Sequence, residues 1–196
     1  MNIHVFGDSI SYGMFDFQKW GWVRRLKTYL IRKGKSIRIQ NHATIGMDST
    51  SLLLQVTKEK IEKDDLVIVS IGTNDSQILN GASRTSSKDF RGNLISLAKI
   101  FGSRLVLIGL IRNNPKKEIG WWSPFKKPSY NNCSMSAYDF CIRNVSEEHS
   151  ITYIPLADLF SNCPGELLCD CIHPNSTGHR VIFERIKDEL EKKQLI

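Results

Sequence analysis

The run Leu66-Val67-Ile68-Val69-Ser70-Ile71 is the strongest constraint on the fold. Six residues, β-branched in the main and with one small polar member, do not alternate in hydrophobicity. They describe a strand buried on both faces, the mark of a parallel sheet covered by helices. Four further short segments repeat the theme: 2–6, 37–40, 105–108 and 151–156. Helical periodicities separate them. Trp22, Val23, Leu26, Tyr29 and Leu30 fall on one face of a helix over 20–33, and Asp48 or Ser49 can cap a second that runs to about Glu62. Phe90, Leu94, Leu97, Ala98 and Phe101 mark a third, Tyr138, Cys141, Ile142 and Val145 a fourth. Ile182, Ile186 and Leu190 mark the last.

Strand and helix in strict alternation predict an α/β chain with three layers, helix–sheet–helix. Right-handed crossovers favour a doubly wound, flavodoxin-like five-stranded parallel sheet in the order 2-1-3-4-5. The 196 residues read as one domain, 1–196, without repeats or a linker. A hydrophobic content of 41% and a charged content of 24% suit a soluble globular chain. No segment is long and apolar enough to span a bilayer, and a first strand at residue 2 leaves no room for a signal peptide, so a cytoplasmic location is expected.

In such sheets ligands bind beyond the carboxyl ends of the strands. Gly7-Asp8-Ser9 follows strand one, Gly46 follows strand two, and Gly72-Thr73-Asn74-Asp75 follows strand three, so all three are expected on one rim. A serine on a strand-to-helix turn can serve as a nucleophile if a base takes its proton and a third group orients that base. Asp170 and His173, followed by Pro174, supply the pair. His4 lies inside a strand, and His149 and His179 lie on predicted helices away from the rim. His42 is near enough to compete. The backbone N–H groups of Ser9 and Gly46 and the side-chain amide of Asn74 are donors of the kind that stabilise an oxyanion. Asp75 is expected to hold the loop by accepting backbone hydrogen bonds.

These four blocks resemble those of the SGNH, or GDSL, hydrolase family, in order and across almost the whole chain. One departure stands out: where many relatives carry an earlier glycine two residues after an asparagine, Asn41 is followed by Ala43. The resemblance implies a serine esterase or acylhydrolase without metal or other cofactor, acting on a small acyl ester. It implies Ser9 as nucleophile, His173 as base, Asp170 as orienting acid, and Ser9, Gly46 and Asn74 as the oxyanion hole. An O-deacetylase acting on carbohydrate is the nearest alternative.

Three features stand apart. Cys163, Cys169, Cys171 and His173 contain enough soft ligands for a metal, but not the paired spacing of zinc sites. A binding protein on the same fold is a further alternative, against which the intact Ser9, Asn74, Asp170 and His173 argue. Residues 112–132 form a long connection whose Trp121 and Trp122, opposite Phe15, Phe17, Trp20 and Trp22, are candidates to line the substrate pocket. The net charge of +7 is concentrated in Arg24–Arg38 and in the lysines of that connection. It suggests attraction to anionic lipid or glycan, and no nucleic-acid-binding signature accompanies it.

Overall fold

A computed structural model describes residues 1–114, 130–160 and 167–196. Strands β1 (Asn2–Gly7), β2 (Arg38–Asn41), β3 (Leu66–Ser70), β6 (Leu105–Ile108) and β7 (Thr152–Ile154) form one five-stranded sheet. Every pairing is parallel, in the order β2-β1-β3-β6-β7, which is 2-1-3-4-5 when the strands of this sheet alone are counted. A two-stranded antiparallel ribbon, β4 (Ile78–Leu79) and β5 (Ala82–Ser83), stands outside it.

The pleat sorts the core into two halves. Ile3, Val5, Leu66, Ile68, Val106 and Ile108 face α2 (Gly21–Arg32) and the C-terminal helix α6 (Ser176–Lys192). Phe6, Val67, Val69, Leu105 and Leu107 face α3 (Ser49–Val56), α4 (Ser87–Phe101) and α5 (Asn132–Glu148). The four-residue step Ile182, Ile186, Leu190 explains the length of α6, since all three are fully buried. The same logic shortens α3. Leu52 and Val56 face the core, and the next four-residue step reaches Lys60, so the helix ends at Val56 rather than near Glu62. Trp22, proposed above as a pocket wall, is a core residue of α2 with 1% of its surface exposed.

Candidate active site

Parallel pairing brings the carboxyl ends of all five strands to one rim. Immediately after β1, the chain turns into the single helical turn α1 (Ser9–Tyr12), with Asp8 as its N-cap accepting from the N–H of Ile10 at 2.9 Å. Ser9 is therefore the first helical residue, and its N–H has no acceptor within the helix. Gly7 permits the turn by close packing: a Cβ there would come within 2.7 Å of the Ser70 carbonyl oxygen.

The partner of Ser9 arrives from 164 residues away. Ser9 Oγ lies 3.0 Å from His173 Nε2, and His173 Nδ1 lies 2.7 Å from Asp170 Oδ2. A carboxylate only accepts, so Nδ1 carries the ring proton and Nε2 presents its lone pair to the serine hydroxyl. The other oxygen of Asp170 accepts from the backbone N–H groups of Ile172 and His173, at 2.9 and 2.7 Å. Burial raises the pKa of Asp170, but the His173 ring and these two N–H groups outweigh it and hold the carboxyl below its ordinary range. Asp8 differs. Burial dominates, and its pKa is pushed up to about 6 despite the N–H of Ile10.

The donors expected around the serine lie on the next two loops. Thr44 N–H donates to Gly7 O and Met47 N–H to Thr44 O, closing a turn with Gly46 at its third position. That position has φ +76°, the left-handed conformation a type II turn demands, whereas a side chain there would meet nothing within 4 Å. Glycine at 46 is thus a backbone requirement. Asn74 is buried, and its amide donates to Met47 O at 2.9 Å, tying the third loop to the second. Asp75 is fully buried and accepts from the N–H and the hydroxyl of Ser49, at 3.0 and 2.6 Å, which anchors the start of α3.

Phe15 packs edge-on against the His173 ring, centroids 5.3 Å apart. Trp121, Trp122 and Cys163 lie outside the described residues. His42 belongs elsewhere: it bonds His4 at 3.0 Å, meets Glu59 at 3.4 Å and stacks on Phe6. His179, read above as remote, sits close by: its Nε2–H donates to Met14 O at 2.9 Å in the loop after the serine. Cys171 is buried, and burial with the Asp170 charge pushes its thiol up to about 12. Among the described residues, no three His, Cys, Asp or Glu side chains converge as a metal would require.

Sequence reasoning missed the clamp behind the site. Asp16 is fully buried and accepts from the N–H groups of Lys19 and Gly21 and from Arg25 Nη2 at 2.8 Å. The same Arg25 Nη2 lies 3.1 Å from the Ser176 carbonyl and 3.0 Å from its hydroxyl, at the start of α6. One guanidinium thus joins the loop after Ser9 to the segment bearing His173. A lone carboxylate between two phenylalanines, Phe15-Asp16-Phe17, was the available signal.

Residues 5–181 match the model of the GDSL-like lipase/acylhydrolase family. No curated protein matches the chain significantly by sequence. Among solved structures, the chain is similar to a lipase/acylhydrolase from Enterococcus faecalis, with TM-score 0.79, 21% identity, and 98% of this chain and 96% of that one covered. It is also similar to the acetyl xylan esterase AlAXEase, with TM-score 0.77, 19% identity and coverage of 96% and 98%. A third likeness is to the psychrotrophic esterase EstA from Pseudoalteromonas sp., in a structure inhibited by monoethylphosphonate (TM-score 0.72, 18% identity, coverage of 100% and 99%). These likenesses establish the αβα fold.

Proposed function

The chain belongs to the GDSL-like lipase/acylhydrolase family and is an ester-bond hydrolase; from that premise we propose that it cleaves carboxylic esters through an acyl-enzyme on Ser9. The observation that carries the reading is the buried hydrogen-bonded chain from Ser9 through His173 to Asp170, at 3.0 and 2.7 Å.

In the first step the Ser9 hydroxyl passes its proton to His173 Nε2 while Oγ bonds to the ester carbonyl carbon. The carbonyl oxygen becomes an oxyanion, held by the N–H of Ser9, the N–H of Gly46 and the side-chain amide of Asn74. Collapse breaks the bond to the alcohol, which leaves with the proton from His173. Water then attacks the acyl-enzyme, again giving its proton to His173. The acid departs and Ser9 recovers its hydrogen. Asp170 stays ionised throughout, keeps the proton on Nδ1 and stabilises the imidazolium.

The test is intact-mass analysis after exposure to a fluorophosphonate probe, on wild type and Ser9→Ala in parallel. A single adduct on wild type, absent from the variant, is expected. An adduct that survives in the variant, or none on folded wild type, would overturn the assignment. Carbohydrate O-deacetylation is a second reading, supported by the likeness to an acetyl xylan esterase. Comparing turnover of acetylated xylan with that of longer-chain acyl esters separates the two.

A further inference from the structure

The positive charge of this chain is not spread over it. From Phe17 to Met47 there are eight lysines and arginines and no aspartate or glutamate, whereas the remaining residues carry 19 basic and 20 acidic side chains. This one segment therefore accounts for the entire excess. It forms the end of the loop after Ser9, helix α2 and the edge strand β2. All eight cations except Arg25, which is spent on buried Asp16, are exposed.

Stability does not explain the arrangement. Arg38 can guard the sheet edge and Arg32 suits the carboxyl end of α2. Lys19 and Arg24 lie at the amino end, where the helix dipole disfavours cations and where α2 has no acidic residue in its first turn. Among the described residues, Lys19, Arg24, Lys27 and Arg32 are paired with no carboxylate. Apolar side chains project among them: Phe17 is 80%, Trp20 55% and Ile31 63% exposed. Trp20, Arg24, Lys27 and Ile31 follow helical spacing down one stripe. Grooves of about 470 and 570 Å³ flank it, the first lined by Trp20, Arg24 and Arg32, the second by Lys27, Ile31 and Arg38.

We propose that this face docks the protein onto an anionic phospholipid bilayer, from which the acyl ester substrate is taken. The proposal rests on the esterase reading above. Cations beside protruding aromatic and aliphatic side chains suit an interface, where the first meet headgroups and the second enter the acyl boundary. Sugar hydroxyls need acceptors as well as donors, and lysine and arginine only donate. The face also connects to the site. Phe15 touches His173, and Phe17 meets Phe15 edge-on with centroids 6.4 Å apart, so an aromatic line runs from the ring of His173 out to the exposed side chain.

The test is flotation of the Ser9→Ala chain with phosphatidylcholine vesicles, with and without phosphatidylserine, and retention on heparin. Using this variant separates binding from chemistry, so a failure of the Ser9 assignment would leave the vesicle result standing. Binding that requires phosphatidylserine and weakens as salt rises is expected. Each exposed cation is worth roughly fivefold in affinity at such a surface, so adding Arg24→Gln, Lys27→Gln and Arg32→Gln should weaken binding about a hundredfold. With Ser9 present, the same triple variant should label with fluorophosphonate as wild type does, which also shows that it folds. No binding to the anionic vesicles, equal binding to both vesicle types, or an unweakened triple variant would overturn the proposal. Heparin retention without vesicle binding would overturn it in favour of an acidic glycan.

Discussion

At the scale of single residues, two side chains on the rim have roles that can be separated by substitution. Asn74 is held by its bond to Met47 O, which fixes the amide plane and leaves its second N–H for the oxyanion hole proposed above. Removing one such donor costs about 100- to 1,000-fold in turnover. Asn74→Ala should therefore lose kcat on that scale while KM changes little, in steady-state kinetics with a soluble ester. A loss below about tenfold would remove Asn74 from the oxyanion hole. Asp8 makes a different prediction. An unfolded chain releases its carboxyl proton near 3.8, whereas burial lets folded Asp8 keep it to about 6. Between those values the folded state binds more protons, so its stability falls as pH rises. Asp8→Asn keeps a cap acceptor and cannot ionise. Relative to it, the wild type should lose roughly 2 kcal/mol between about pH 4 and pH 7, read from unfolding midpoints. Parallel pH profiles for the two proteins would show that Asp8 does not keep the proton.

Elements are placed by apolar periodicity, and the chain was legible there wherever a face is buried. Leu66–Ser70, Leu26 with Leu30, and Ile182 with Ile186 all carry their positions in their spacing. The end of α3 was not, because it depends on what the next turn would bury. Trp22 was misread as a pocket wall because its nearness to the nucleophile was set above its periodicity, which it shares with Leu26 and Leu30 and which already put it on the inward face of α2. Least legible was Arg25, one cation within a basic run, whose partners Asp16 and Ser176 lie 9 and 151 residues away. Yet it holds α2, the loop after Ser9 and the start of α6 together. Truncating one partner of a buried pair leaves the other charge without compensation, typically at a cost of about 3–5 kcal/mol. Arg25→Ala should be destabilised by about 3 kcal/mol in urea unfolding, and its rate of fluorophosphonate labelling should fall even where it is fully folded. Unchanged labelling would mean that the two arms of the site hold their places without the clamp.

For the whole molecule, the site is assembled by chain ends. Ser9 follows the first strand of the sheet and His173 follows the last, so their contact spans nearly the full sequence. The segment bearing the acid and base is also bound into the body. Within the segment, Cys169 N–H donates to His173 O and Asn175 N–H to Leu167 O, at 2.8 and 2.9 Å, so it holds together as one piece; from outside it, Asn114 N–H donates to Cys171 O at 2.8 Å. Leu167, Leu168 and Ile172 are buried, the first two in the half of the core that includes α2 and α6. Detaching this segment from the body therefore exposes apolar surface of that core and breaks the bond from Asn114 to Cys171. Such a segment opens with the whole protein rather than as a separate unit of low stability. Fluorophosphonate labelling of Ser9, measured across a urea series, should accordingly disappear with the same midpoint as the loss of helical circular dichroism. Labelling lost at clearly lower urea would show that the Leu167–Asn175 segment detaches while the sheet persists, and that the site is less stable than the fold that builds it.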